Sequence, residues 1–237
     1  MATTIFLVNP QTFGGGSSFT NEKSLLFDGV DEYVTYGRPS AMESTDFSLS
    51  FWYKPPLGTP ASTEPVMTKF VGGASGFYIY HRPTTGDLQV YFFGVNMFSL
   101  SGLSNNTWYH IVVTLDSTNG KAFYVDGVSQ ATSLSTTNGT ANTANLYAAR
   151  VTTLYNNCNI DEVSVFDYAL TSGQVTSIYN SGTPTDLDNT SGVTAPVHWW
   201  RMGDGDTYPT ITDVGTTGGN DGTMTNMESG DIVNDTP

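Results

Sequence analysis

The strongest constraint in this sequence is strict alternation. Phe47, Leu49, Phe51 and Tyr53 alternate with Ser48, Ser50, Trp52 and Lys54, and Tyr109, Ile111, Val113 and Leu115 alternate with Trp108, His110, Val112 and Thr114. Leu88, Val90 and Phe92 alternate in the same way with Gln89, Tyr91 and Phe93. Successive side chains of an extended chain point to opposite faces, so each run predicts a strand with one core face. Turn chemistry separates the runs. Asn119-Gly120 and Asp126-Gly127 supply residue types that tolerate the positive φ of tight hairpin turns, on either side of an apolar run ending at Val125. Repeated hairpins without long helices between them predict an all-β chain, folded as a two-sheet antiparallel sandwich.

Composition agrees and excludes several functions. Apolar residues make up 38% of the 237, enough for a sizeable core, while charged residues at 13% are about half the usual share. Eight Lys and Arg against 22 Asp and Glu give a net charge of -14. Without a cluster of cations the chain is not expected to bind nucleic acid or an anionic membrane. Cys158 is the single cysteine, so no intrachain disulfide forms, and it reads as a small buried hydrophobe. Ile5–Val8 is too short an apolar run for a secretory signal or a membrane span.

Along the chain, residues 1–20 read as an arm ending in the flexible joint Gly14–Ser18, suited to docking on a neighbour. Residues 21–205 read as the sandwich, and residues 206–237 as a loop-rich extension packed on it or trailing from it. One short helix is marked by Thr171 and Gln174 as a capping box, with Leu170 and Val175 as a hydrophobic staple and Gly182 as its stop. At two to three turns, it is expected to plug one end of the sandwich.

Four motifs in order carry a resemblance. Leu26–Val34 (LFDGVDEYV) resembles the opening strand pair of laminin-G-like, concanavalin-A-like domains, and Thr107–Val113 (TWYHIVV) their central strand. Phe123–Gly127 (FYVDG) is similar to the hairpin that follows. Ile160–Phe166 (IDEVSVF), with Leu170, Thr171, Gln174, Val175 and Ile178, is similar to their late strand and its helix. The resemblance implies a jelly-roll sandwich. Pro184–Asp188 (PTDLD), His198–Asp204 (HWWRMGD) and Asn220–Asn226 (NDGTMTN) resemble segments of phage structural proteins. That likeness implies a non-enzymatic virion-surface component, in a capsid decoration, fibre or tail, with homo-oligomer and virion contacts and a role in attachment to cell-surface glycans. A secreted bacterial lectin or adhesin module and a ligand-free cement protein are the alternatives.

Glucanases built on this sandwich need carboxylates alternating along one strand, and that pattern is absent. Glu43 and Asp46 have the wrong spacing, and alternation puts the adjacent Asp161 and Glu162 on opposite faces. His81, His110 and His198 lie in strand-like runs with no nucleophile elbow or zinc spacing. His110 reads as a hydrogen-bonded structural histidine. Two binding expectations follow. Asp28, Asp31 and Asp161 are candidate ligands for a structural calcium ion, with loop carbonyls completing its oxygen shell; the alternative is that these carboxylates cap turn amides. Tyr78 and Tyr80 share one strand face, and Tyr91 and Phe93 share a face of the next. Paired, they form an aromatic patch for pyranose stacking, with Gln89 and Asn96 as polar neighbours, or for a covering subunit.

Overall fold

A computed structural model describes residues 19–56, 62–72, 75–82, 85–92, 97–136 and 142–237. The arm expected over residues 1–20 lies outside them, apart from Phe19 and Thr20. The first half holds β1 (Ser24–Asp28), β2 (Tyr33–Thr35), β3 (Phe47–Lys54), β4 (Glu64–Gly72), β5 (Ser75–His81), β6 (Leu88–Phe92), β7 (Met97–Leu100) and β8 (Tyr109–Asp116). Then come β9 (Gly120–Val125), β10 (Val128–Ser133), β11 (Tyr147–Ala148), β12 (Arg150–Val151), β13 (Leu154–Tyr155) and β14 (Asn157–Phe166). Helix α1 (Ser172–Tyr179) precedes β15 (His198–Trp200), β16 (Thr210–Ile211), β17 (Gly222–Thr225) and β18 (Ile232–Val233).

These strands make a two-sheet antiparallel sandwich of jelly-roll type. The first sheet runs β10-β9-β8-β3-β14-β1-β18, with β15 added against β14; the second runs β16-β17-β2-β11-β4-β5-β6-β7. β12 and β13 form a separate small hairpin. Alternation sorts the side chains as expected. Phe47, Leu49, Phe51 and Tyr53 of β3, with Ile111, Val113 and Leu115 of β8, meet Val34, Met67, Ile79, Val90 and Phe92 of the facing sheet in one core. Burying a side chain of this size contributes about 1.5–3 kcal/mol, so the inter-sheet layer dominates stability. Cys158 is buried in that core.

The two hairpin signals act differently. Asp126 and Gly127 both adopt positive φ, 50° and 76°, and join β9 directly to β10. At Asn119-Gly120 only Gly120 does, at 89°, and a Cβ there would sit 1.9 Å from the Ser133 carbonyl oxygen. The glycine is therefore needed for close approach of β10 as well as for its φ.

The helix has the expected capping box. The Gln174 amide donates to Thr171 Oγ1 at 3.3 Å, and the Thr171 amide to Gln174 Oε1 at 2.9 Å. It ends at Asn180, whose φ of 47° forms the left-handed cap two residues before Gly182. Its place differs from expectation. Rather than plugging an end, α1 covers the outer face of the first sheet: Val175 and Ile178 pack with Val112, Tyr124, Phe166, Leu170 and Trp199 in a second apolar cluster. The reason lies in the sequence of the sheet, since β8 and β9 carry Val112 and Tyr124 on the face turned away from the main core. No helix among the described residues is long and apolar enough to cross a membrane.

Residues 206–237 are packed, and they complete both sheets. β16 and β17 extend the second sheet beside β2, and β18 pairs with β1 at the edge of the first. Asp213 fastens this segment. It accepts from His198 Nδ1 at 2.7 Å and from the amides of Trp199, Gly215 and Asn220. Burial alone would raise the Asp213 carboxyl, but the bonds from His198 and these amides outweigh it and hold the group below its ordinary range.

Candidate functional site

The outer face of the second sheet carries the most distinctive surface. Val34, Met67, Ile79, Val90 and Ala148 point into the core, so Thr35, Thr68, Tyr78, Tyr91 and Tyr147 beside them take the other face, where Thr68 is buried and donates to the Arg150 carbonyl. The register brings these outward residues into one line. Thr35 lies opposite Tyr147, Tyr147 opposite Thr68, Thr68 opposite Tyr78, and Tyr78 opposite Tyr91. The row therefore crosses β2, β11, β4, β5 and β6 at about 4.8 Å per strand.

At one end of the row lies the patch expected from the sequence. The Tyr78 and Tyr80 rings stack with centroids 4.5 Å apart. Tyr80 is opposite Gln89, its hydroxyl donates to Gln89 Oε1, and Gln89 Nε2 reaches Ser99 Oγ at 3.4 Å. Burial raises the hydroxyl pKa values of Tyr78 and Tyr80, so both stay protonated at neutral pH. All three tyrosines, 78, 80 and 91, are half-buried. Phe93 and Asn96 lie outside the described residues.

A second aromatic group at the other end was not anticipated. Tyr33 packs edge-on to Tyr147 with centroids 6.0 Å apart and tilts against Tyr155 at 6.3 Å. The Arg150 guanidinium lies over both Tyr33 and Tyr147, 4.3 and 5.2 Å from their centroids. A cleft of about 190 Å³ opens there, lined by Thr68, Phe70, Tyr147, Arg150, Val151 and Thr152. The aromatic group and the cleft together draw on β2, β4, β11, β12 and β13, and no local sequence window contains them.

Residues 28–176 match the family model described as concanavalin A-like lectin/glucanases superfamily. The chain belongs to this superfamily. No curated protein matches it significantly. Among solved structures, it is similar to a candidate carbohydrate binding protein from Bacteroides ovatus, with 16% identity over 89% of this chain and 60% of that one and a TM-score of 0.61. A native heptameric SAP-like pentraxin from Limulus polyphemus gives 11% identity over 86% of this chain and 94% of that one, with a TM-score of 0.51. A Trypanosoma rangeli sialidase gives 14% identity and a TM-score of 0.56, and the match spans 69% of this chain but only 28% of the sialidase. At these identities the likeness carries the fold alone.

Within this lectin/glucanase frame, the adjacent carboxylates Asp161 and Glu162 are buried and hydrogen-bonded. β14 bulges between Asp161 and Ser164, and Glu162 takes a φ of 47°, so simple alternation does not apply through Asp161–Glu162. Both side chains are buried. Asp161 accepts from Asn21 Nδ2 at 2.9 Å and from the Glu162 amide at 2.8 Å, and burial pushes its pKa well up. Burial likewise raises Glu162, to about 7, against the pull of Arg201 and Trp199. Its oxygens are held by Trp199 Nε1 at 2.5 Å and Arg201 Nε at 3.1 Å. The adjoining cavity, with Ser50, Trp52 and His110, is about 10 Å³, room for a water and not for a sugar ring. His110 is buried there, its Nε2 2.8 Å from Ser50 Oγ, and burial lowers its pKa to about 3.

The three aspartates proposed from the sequence divide. Asp28 and Asp31 share the β1–β2 loop, where Asp28 Oδ1 accepts from the Val30 amide at 2.7 Å. Glu32 sits beside them, accepts from the Asp28 amide at 2.7 Å, and is raised to about 7 by burial and then by nearby Asp231, Asp28 and Asp31, against the bond from the Asp28 amide. Asp161 lies elsewhere. Asp28 pairs with Asn157, four residues before Asp161, which at ~3.3 Å per residue is roughly 13 Å along the strand. Among the described residues no three His, Cys, Asp or Glu side chains converge to hold a metal ion.

Proposed function

We propose that this chain is a non-catalytic glycan-recognition module that takes its ligand on the outer face of the second sheet. The observation that supports this is the cross-strand row Thr35–Tyr147–Thr68–Tyr78–Tyr91, with stacked Tyr78 and Tyr80 beside it. The half-buried rings of Tyr78, Tyr80, Tyr91 and Tyr147 offer apolar surface for pyranose C–H groups, while the buried Thr68 and Gln89 spend their polar groups holding Arg150, Tyr80 and Ser99 in place. The lectin/glucanase family assignment supports the same chemistry.

A glycan array probed with the intact chain and with a Tyr78→Ala/Tyr80→Ala variant tests the reading. Specific hits that vanish in the variant, with the melting temperature retained, are expected. A blank array, or hits indifferent to these tyrosines, overturns it.

The resemblance of His198–Asp204 and Asn220–Asn226 to phage structural proteins supports a place on a virion surface, as an attachment component that self-associates through residues 1–20. Light scattering on the intact chain and on one lacking those residues tests this. A multimer that falls to monomers without the arm is expected; a monomer in both forms removes the support.

A further inference from the structure

Arg150 and the exposed Arg82 differ from the other cations of this acidic chain. Arg38, Lys54, Lys69 and Arg201 lie against carboxylates, and Lys23 and Lys121 donate to amide, carbonyl or hydroxyl oxygens. Among the described residues no carboxylate lies within ion-pair distance of Arg150. Its Nε donates to the Thr152 carbonyl at 3.2 Å, which leaves the outer edge of the guanidinium with its two terminal amino groups.

The fold invests in this placement. Arg150 is held between two non-glycine residues at positive φ, Ala149 at 60° and Thr152 at 52°. Each such residue costs on the order of 1–3 kcal/mol, and strain of this kind persists only where the surroundings impose it. Here the Ala149 amide donates to the Val66 carbonyl at 2.9 Å, the Asn156 amide to the Ala149 carbonyl at 3.1 Å, and Thr68 Oγ1 to the Arg150 carbonyl at 2.6 Å. The guanidinium is thereby fixed over Tyr33 and Tyr147 at the mouth of the cleft, and Tyr147 belongs to the cross-strand row.

We propose that Arg150 makes this cleft a site for a carboxylate-bearing sugar, a uronic or sialic acid unit of a glycan whose remaining rings lie along Tyr78 and Tyr91. The inference rests on the glycan reading of the same face. The planar guanidinium edge matches a carboxylate in a two-point hydrogen bond, and the adjoining tyrosine faces take the ring. The net charge of -14 does not oppose this at close range. At physiological ionic strength the field of exposed charges is screened beyond about 8 Å, so the nearby guanidinium decides.

The test is an array of sialylated and uronate-bearing glycans printed beside their carboxyl methyl esters and neutral glycans, probed with the wild-type chain, Arg150→Gln, Arg150→Lys and Tyr78→Ala. Acid forms are expected to outbind their esters about ten- to a hundredfold, the range for hydrogen bonds to a charged group. Arg150→Gln should erase that preference and Arg150→Lys should keep part of it, since lysine retains the charge and loses the fork. If acids and esters bind equally in a Tyr78-dependent way, or Arg150→Lys keeps the full preference, the inference falls and the glycan reading stands. A blank array removes both. Should Arg150→Gln lower the melting temperature, Arg150→Lys alone decides.

Discussion

Glu64 gives the sharpest test of the physical account. It opens β4 opposite His81, half-buried, and its Oε2 is enclosed without a hydrogen-bond partner. Burial raises its pKa from the ordinary 4.5 to about 7. The sign follows from linkage. The folded state holds the proton more tightly than the unfolded chain, so this group costs nothing below pH ~4.5 and destabilises the fold progressively as pH rises to ~7. At about 1.36 kcal/mol per pKa unit, a fully dry site would cost roughly 3 kcal/mol; with partial water contact about 1–2 kcal/mol is expected. Glu64→Gln cannot ionise and should remove that dependence. Urea unfolding of both proteins, followed by tryptophan fluorescence at pH 5 and pH 8, measures the difference of differences. The wild type should lose about 1–2 kcal/mol more than the variant between the two pH values. Glu32 and Glu162 shift in the same sense but are present in both proteins and cancel. Equal pH dependence in the two would refute the claim that Glu64 is ionised against a desolvation cost in the folded state.

Three further outcomes are expected. Asp213→Ala, which orphans His198 and three backbone amides, should destabilise the fold by about 3–5 kcal/mol and open residues 206–237 to limited proteolysis. Thr171→Ala removes the side-chain half of the α1 capping box and should cost about 1 kcal/mol by the same urea assay. Thermal melts in calcium and in chelator test the Asp28–Glu32 loop. With one Asp28 oxygen committed to the Val30 amide and no three such ligands converging among the described residues, the two melts should coincide; a calcium-dependent rise would mark the loop as a calcium site.

The reach of the sequence follows the range of the forces that each feature records. Strand faces were legible because alternation is local: Phe47 through Lys54 states which side chains share a side without reference to any other strand. The Asp126-Gly127 turn and the Thr171–Gln174 capping box were legible for the same reason, since each is closed by neighbours in the chain. Half of the aromatic face was legible too, because Tyr78, Tyr80 and Tyr91 fall on strands adjacent in sequence and pair as a hairpin. Tertiary structure decided the rest. The helix lies over a sheet face because Val112 and Tyr124 needed a cover that no local pattern specifies. A bulge at Asp161–Ser164 overrode the alternation that separated two carboxylates on paper. Tyr33, Tyr147, Tyr155 and Arg150 meet only because β11 inserts between β2 and β4. Period and turn chemistry fix which face a residue takes; the order of strands in a sheet, set by contacts far apart in the chain, fixes which residues share it.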